Sequence, residues 1–162
     1  MSGAPPEARS FLAAAARSFY RARVKLSARS DYAARAVLAL ARRLPSGAVV
    51  TTEVLGAEQG VAANYLVQIL LELKARGIVR SVRGKAGGYA LARSPSEITL
   101  ADVLRAVDGE SFSAPALLDA GCPAELRGAW QAVCRSFEAA ADGITFQQLI
   151  EEAAEKEKMY YI

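Results

Sequence analysis

Ile78-Val79-Arg80-Ser81-Val82-Arg83-Gly84-Lys85-Ala86-Gly87-Gly88-Tyr89-Ala90-Leu91-Ala92-Arg93 reads as two short strands around a cationic, glycine-rich tip. Val79, Ser81 and Arg83 alternate with Arg80 and Val82, the period-two pattern of a strand with one covered face. Gly84, Lys85, Gly87 and Gly88 interrupt the pattern, and Tyr89 and Leu91 resume it. Directly upstream, Leu66, Ile69, Leu70 and Leu73 recur at helical spacing in a segment from Asn64 to Arg76 that stops at Gly77. A helix followed at once by a basic, glycine-tipped hairpin is the helix–wing pair of a winged helix-turn-helix, whose helix enters a DNA groove while the wing lies beside it. The expected fold class is mainly α with a small β-hairpin wing: a winged helix-turn-helix domain plus a C-terminal dimerisation helix.

Working outward, the chain supplies the other parts of such a domain. Ser30 or Asp31 is placed to cap a first helix, in which Tyr32, Ala33, Ala36, Val37, Leu40 and Leu44 form one stripe before Pro45-Ser46-Gly47 stops it. Thr51-Thr52-Glu53 opens a second, short helix through Gln59, and Gly60 turns the chain into the third. Beyond the wing, Thr99 and Asp102 have capping-box spacing at the head of a helix carrying Leu100, Val103, Leu104 and Val107 on one face. Pro123 marks a further helix start; Leu126, Trp130, Val133 and Phe137 then recur every three or four residues until Gly143. That narrow stripe is of coiled-coil type and predicts a homodimer. Thr145-Phe146-Gln147-Gln148 caps a last helix, which runs into a charged tail.

The expected organisation is an N-terminal extension over 1–24, a winged helix-turn-helix over 25–108, a loop over 109–122, and a dimerisation helix with a C-terminal helix over 123–162. The extension, rich in Ala and Arg, reads as disordered or as lying ahead of the true start, with Val24 as the initiator.

Charge divides along the same line. Residues 25–93 carry eleven Lys and Arg against four Asp and Glu, whereas residues 94–162 carry five against twelve. The net charge is only +3, but a basic half followed by an acidic half points one end of the molecule at a polyanion. With no histidine and two cysteines, a His-based triad and the common structural zinc sites cannot be built from one chain. There is also no P-loop and no Gly-x-Ser-x-Gly sequence, so an enzyme is not expected. No apolar run approaches the length of a membrane span, and a cytoplasmic protein is expected.

From Lys25 to Asp108 the chain resembles the IscR/NsrR/CymR-type winged-helix regulators of the Rrf2 family. The resemblance rests on Lys25-Leu26-Ser27-Ala28-Arg29-Ser30-Asp31-Tyr32-Ala33, on Asn64 to Leu70, on Val82 to Leu91 and on Ile98 to Asp108. Trp130 and Ile144-Thr145-Phe146 extend it downstream. It implies a homodimeric transcription factor, usually a repressor, reading a palindromic operator on double-stranded DNA. Many members hold an iron–sulfur cluster on three cysteines in the loop before the dimer helix. Here that loop offers Cys122 alone, and Cys134 lies inside the helix. Asp31 matches an acidic ligand used by some relatives, so Asp31, Cys122 and Cys134 are the remaining cluster candidates. The expected reading is cofactor-free, with a redox- or cluster-responsive version of the regulator, or a protein-interaction module without DNA binding, as alternatives. Any regulatory protein or small-molecule effector stays open.

The residues expected at DNA follow from chemistry. Asn64 and Gln68 can each offer paired hydrogen bonds to adenine, Ala63 admits a thymine methyl, and Tyr65 reaches a phosphate or base. Asn64 is equally placed to cap its helix, and Tyr65 to join the core. Arg83 and Lys85 bring charge to the wing tip, and Lys25, Ser27 and Arg29 are placed to clamp phosphate.

Overall fold

The computed structural model describes residues 26–84, 86–109 and 117–160. The expected extension therefore lies outside the described residues, as do Lys25, Lys85 and half of the expected loop. Among the described residues, six α-helices and one hairpin follow in order: α1 (Ala28–Arg43), α2 (Thr52–Gln59), α3 (Ala63–Ala75), β1 (Val79–Val82), β2 (Gly88–Leu91), α4 (Leu100–Asp108), α5 (Ala124–Asp142) and α6 (Phe146–Tyr160). Short 3-10 turns stand at Leu44–Ser46 and Pro95–Glu97.

The first helix starts one turn earlier than its capping candidates suggest. Ser27 is the N-cap, its hydroxyl accepting the main-chain N–H of Ser30. Ser30 is buried, and Asp31 sits in the first turn paired with Arg35 at 2.8 Å. Ala33, Ala36, Val37 and Leu40 face the core as the stripe requires, but Leu44 lies in the following 3-10 turn and is exposed.

Thr51 caps α2, and Gly60 ends it in the left-handed region at φ +66°. The chain then bends by 112° into α3, within the range that defines a helix-turn-helix. Gly56 makes this corner possible. A Cβ there would stand 2.6 Å from the Val61 carbonyl oxygen, the atom bounding the turn. Leu66, Ile69, Leu70 and Leu73 of α3 are all fully buried, with Leu55, Val37 and Leu40 in the same core.

The wing is antiparallel, with Val79 opposite Leu91 and Val82 opposite Gly88. Val50 fastens it to the domain by exchanging main-chain hydrogen bonds with Tyr89 at 2.9 and 2.8 Å. Gly88 permits that approach, since a Cβ there would lie 2.4 Å from the Val50 carbonyl oxygen.

Thr99 and Asp102 form the expected capping box on α4, with both reciprocal hydrogen bonds at 3.1 Å. Thr99→Ala is expected to lower stability by about 1 kcal/mol, read as a drop in denaturant midpoint with an unchanged slope. A variant as stable as the parent would mean the box contributes nothing here.

The C-terminal helix belongs to the main core. Leu100 N–H reaches the Ile144 carbonyl at 2.8 Å and Phe146 N–H reaches the Ile98 carbonyl at 3.0 Å. These bonds swing Phe146, 1% exposed, in among Val37, Ile98 and Val103. By contrast α5 is attached at one end. Phe137 and Ala141 pack on Ala101 and Leu104, and Arg105 grips Asp142 with two hydrogen bonds at 3.0 and 2.8 Å. Those bonds hold the Asp142 carboxyl below its usual range and the Arg105 guanidinium above its own. Pro123 sits at the N-cap of α5, just before the first helical residue.

Candidate nucleic-acid interface

Helix α3, the expected recognition helix, presents a polar face opposite its buried stripe. Asn64, Tyr65 and Gln68 are exposed and Ala63 is half-exposed. Asn64 and Gln68 stand four residues apart, hence on one face. Asn64 is not the cap: Ala62 holds that position without a side-chain hydrogen bond, and Asn64 is the second helical residue. Its carboxamide is thus not committed to the helix end. Tyr65 is not core either, being 43% exposed. Its ring meets that of Tyr32 edge-on, with centroids 6.1 Å apart, a geometry that orients an aromatic without hiding it. Leu71, three residues beyond Gln68, is 46% exposed on the same side. Sequence reading passed over it because one more leucine in a leucine-rich helix looks like core. It faces outward because the buried stripe already occupies 66, 69, 70 and 73.

The wing stands against the far end of this helix. Lys74 donates to the Ser81 hydroxyl at 2.7 Å, tying the last turn of α3 to β1. That link was not legible beforehand, since the strand pattern that includes Ser81 does not say which side chain of α3 it meets. At the tip Arg83 is exposed, Gly84 takes φ +119°, and Gly87 N–H closes the turn on the Gly84 carbonyl at 2.9 Å.

Two expected phosphate contacts have other partners. The Arg29 guanidinium is paired with Glu72 on α3, and the Ser27 hydroxyl serves as N-cap and donor to Asp108. Both are engaged by partners within the domain, Glu72 of α3 and Asp108 of α4, against which the first turn of α1 lies. At the N-terminus of α2, hydrogen bonds from the Glu53 main chain and then from Thr51 hold the Glu53 carboxyl below its usual value.

The expected dimer helix carries its apolar stripe uncovered. Leu126 is 48%, Trp130 40% and Val133 57% exposed, while Phe137 is half-buried against α4. The cluster candidates do not assemble. Among the described residues no group of three or more His, Cys, Asp or Glu is placed to hold a metal. Asp31 is paired with Arg35, and Cys122 and Cys134 are free thiols. Arg127 braces the turn beside Cys122 by donating to the Asp119 and Cys122 carbonyls at 2.9 and 3.2 Å. A donor set of two thiols without histidine does not fit a four-ligand cluster in one chain.

Comparison with known proteins gives the family. Residues 26–152 match the Rrf2 family model, described as iron-dependent transcriptional regulators; the chain belongs to this family. Rv1287 of Mycobacterium tuberculosis, provisionally named an HTH-type transcriptional regulator, is 49% identical over 86 residues, 53% of this chain and 53% of that protein. The chain thus spans about half the length of several relatives it matches. The HTH-type transcriptional regulator IscR of Aliivibrio salmonicida is 30% identical over 131 residues, covering 78% of this chain and 77% of the relative. Among solved structures, T. potens IscR superposes with a TM-score of 0.71 at 29% identity, over 86% of this chain and 98% of that one. CymR, the global cysteine regulator of B. subtilis, shares the fold with a TM-score of 0.70 at 22% identity, over 80% and 98% of the two chains. The mainly helical fold with a two-stranded wing, expected from the sequence, is borne out. No single helix among the described residues is long and apolar enough to cross a membrane.

Proposed function

We propose that the chain is a sequence-specific DNA-binding transcriptional regulator that acts in the cytoplasm as a homodimer on a palindromic operator. The observation that carries this reading is the exposed row Asn64, Gln68 and Leu71 on α3, flanked by Tyr65 and tied to the wing that bears Arg83. Two carboxamides on one helix face suit adenine edges, and an exposed leucine beside them suits a thymine methyl. The wing brings an arginine on a glycine-rich turn, which suits phosphate or a narrow minor groove. The uncovered stripe of α5 supports the dimer, because a two-fold protein matches a two-fold site. A dimer seated on a promoter blocks polymerase, so repression is the simplest output. Over residues 25–108 the parts serve DNA, and residues 123–162 supply assembly through α5 while α6 completes the core.

The test is a footprint and a salt series on the DNA upstream of the gene. Protection of two half-sites about one helical turn apart, or a multiple of it, is expected. A protein that binds this DNA no better than random sequence would support the protein-interaction reading instead.

The two thiols are proposed to be dispensable for operator binding. The double variant Cys122→Ser, Cys134→Ala is expected to bind within about twofold of the parent in reducing buffer, since neither sulfur belongs to a metal-holding group or a disulfide among the described residues. Loss of binding with folding intact would return a cluster or thiol switch to consideration. An absorption spectrum of anaerobically purified protein would then separate the two.

A further inference from the structure

The first turn of α1 is held from two sides. On one side stands Asp108, the last residue of α4. The Ser27 hydroxyl donates to its two carboxylate oxygens at 3.0 and 3.2 Å, while accepting the Ser30 N–H at 3.0 Å. The Ser30 hydroxyl donates to Asp108 as well, and Ser30, 1% exposed, is the buried polar side chain of the described core. On the other side stands the recognition helix. Arg29 donates to Glu72, and Tyr32 meets Tyr65 edge-on. Glu72 and Tyr65 are seven residues apart on α3, so the short stretch from Arg29 to Tyr32 fixes that helix at two points about two turns apart.

The location of the carboxylate is informative. In the last turn of its own helix a negative charge faces the negative end of the helix dipole, an unfavourable place. Asp108 is also at the first turn of α1, where the dipole is positive, and it accepts from the buried Ser30 hydroxyl, which has the Ser27 hydroxyl as a second neighbour at 2.8 Å. A buried hydroxyl that loses its acceptor is destabilised where it stands. The carboxylate therefore fixes where α1 begins.

We propose that Asp108 is a positioning residue for DNA reading. It sets the first turn of α1 through Ser27 and Ser30, and that turn sets α3 through the Arg29–Glu72 and Tyr32–Tyr65 contacts. The proposal rests on the reading of α3 as the DNA-reading helix, and it makes a prediction opposite in sign to simple charge. Removing an acidic residue from a DNA-binding domain should tighten binding to any DNA by reducing repulsion. Removing a positioning residue should weaken operator binding alone.

The experiment compares Asp108→Asn, Ser30→Ala and Ser27→Ala with the parent. Operator and random-DNA affinities are measured over a salt series, and amide hydrogen exchange is followed in the free proteins. Asp108→Asn and Ser30→Ala are each expected to weaken operator binding about tenfold, the effect of losing one charge-assisted hydrogen bond. Random-DNA affinity and the salt slope should hold, and exchange in α3 should quicken relative to α5. Equal or tighter binding to both DNAs with unchanged α3 exchange would overturn the proposal. Should Asp108→Asn fail to fold, Ser27→Ala at its exposed site carries the same comparison. A parent that does not distinguish operator from random DNA would sink the reading of α3 instead, and the exchange measurement would then judge Asp108 by itself.

Discussion

Trp130→Ala is expected to raise the dissociation constant of the dimer at least 100-fold, about 3 kcal/mol, while leaving the winged domain folded. The magnitude is that of a central aromatic anchor in an interface. The reason for the separation lies in how α5 is attached. Its last turns hold the domain through Phe137, Ala141 and the Arg105–Asp142 pair, whereas Leu126, Trp130 and Val133 on its earlier turns remain exposed. An indole 40% exposed on its own chain has little to lose there when truncated and much to lose across an interface. Its neighbours on the stripe, spaced at four and three residues, supply the surrounding apolar rim. Sedimentation over a range of concentrations, with thermal unfolding in parallel, reads the two effects. A parent that is monomeric at micromolar concentration would end the dimer proposal. A variant that loses thermal stability with assembly unchanged would place Trp130 in the fold rather than in an interface.

Local chemistry was legible in the chain wherever local chemistry decides. The Thr99–Asp102 capping box, the Gly60 turn, the core stripe of α3 and the wing each depend on residues within a few positions of one another, and all stand where their patterns put them. What could not be read were features fixed by distant partners. Ser27, Ser30 and Asp31 are all respectable caps for α1. The choice falls on Ser27 because Ser30 is buried against Asp108, 78 residues away in the chain. Asn64 looked like a cap for the same local reason, but the hydrogen bond from Val61 N–H to the Gly56 carbonyl at 2.9 Å carries the chain into α3 two residues earlier, with Ala62 at the cap. At the candidate interface, exposure was legible from helical spacing and commitment was not. In the sequence Arg29 is an arginine at the head of the first helix, placed to clamp phosphate. In the folded chain it is the partner of Glu72.

Gln68→Ala and Arg83→Ala should separate reading from gripping. Gln68 is exposed on the same face as Asn64, and its carboxamide can donate to and accept from one adenine edge. Losing such a paired contact costs about 1–3 kcal/mol per site. A homodimer makes the contact once in each half-site, so the operator should lose about 2–6 kcal/mol with the two losses nearly additive. Random DNA offers no matched base, so its affinity should hardly change, and a neutral side chain leaves the salt slope where it was. Arg83 stands at the exposed wing tip, next to a glycine with φ +119°. If its guanidinium meets phosphate, truncation should weaken operator and random DNA together and lower the salt slope by about one unit per subunit. If it enters a narrow minor groove, the loss should be larger on operators with a central A·T tract than on those without. Affinities on operator, tract-disrupted operator and random DNA across a salt series distinguish all three behaviours. Equal losses for Gln68→Ala on operator and random DNA would mean that α3 does not read bases. A wing variant with no loss on any DNA would mean that the hairpin, for all its charge and glycine, stays clear of the duplex.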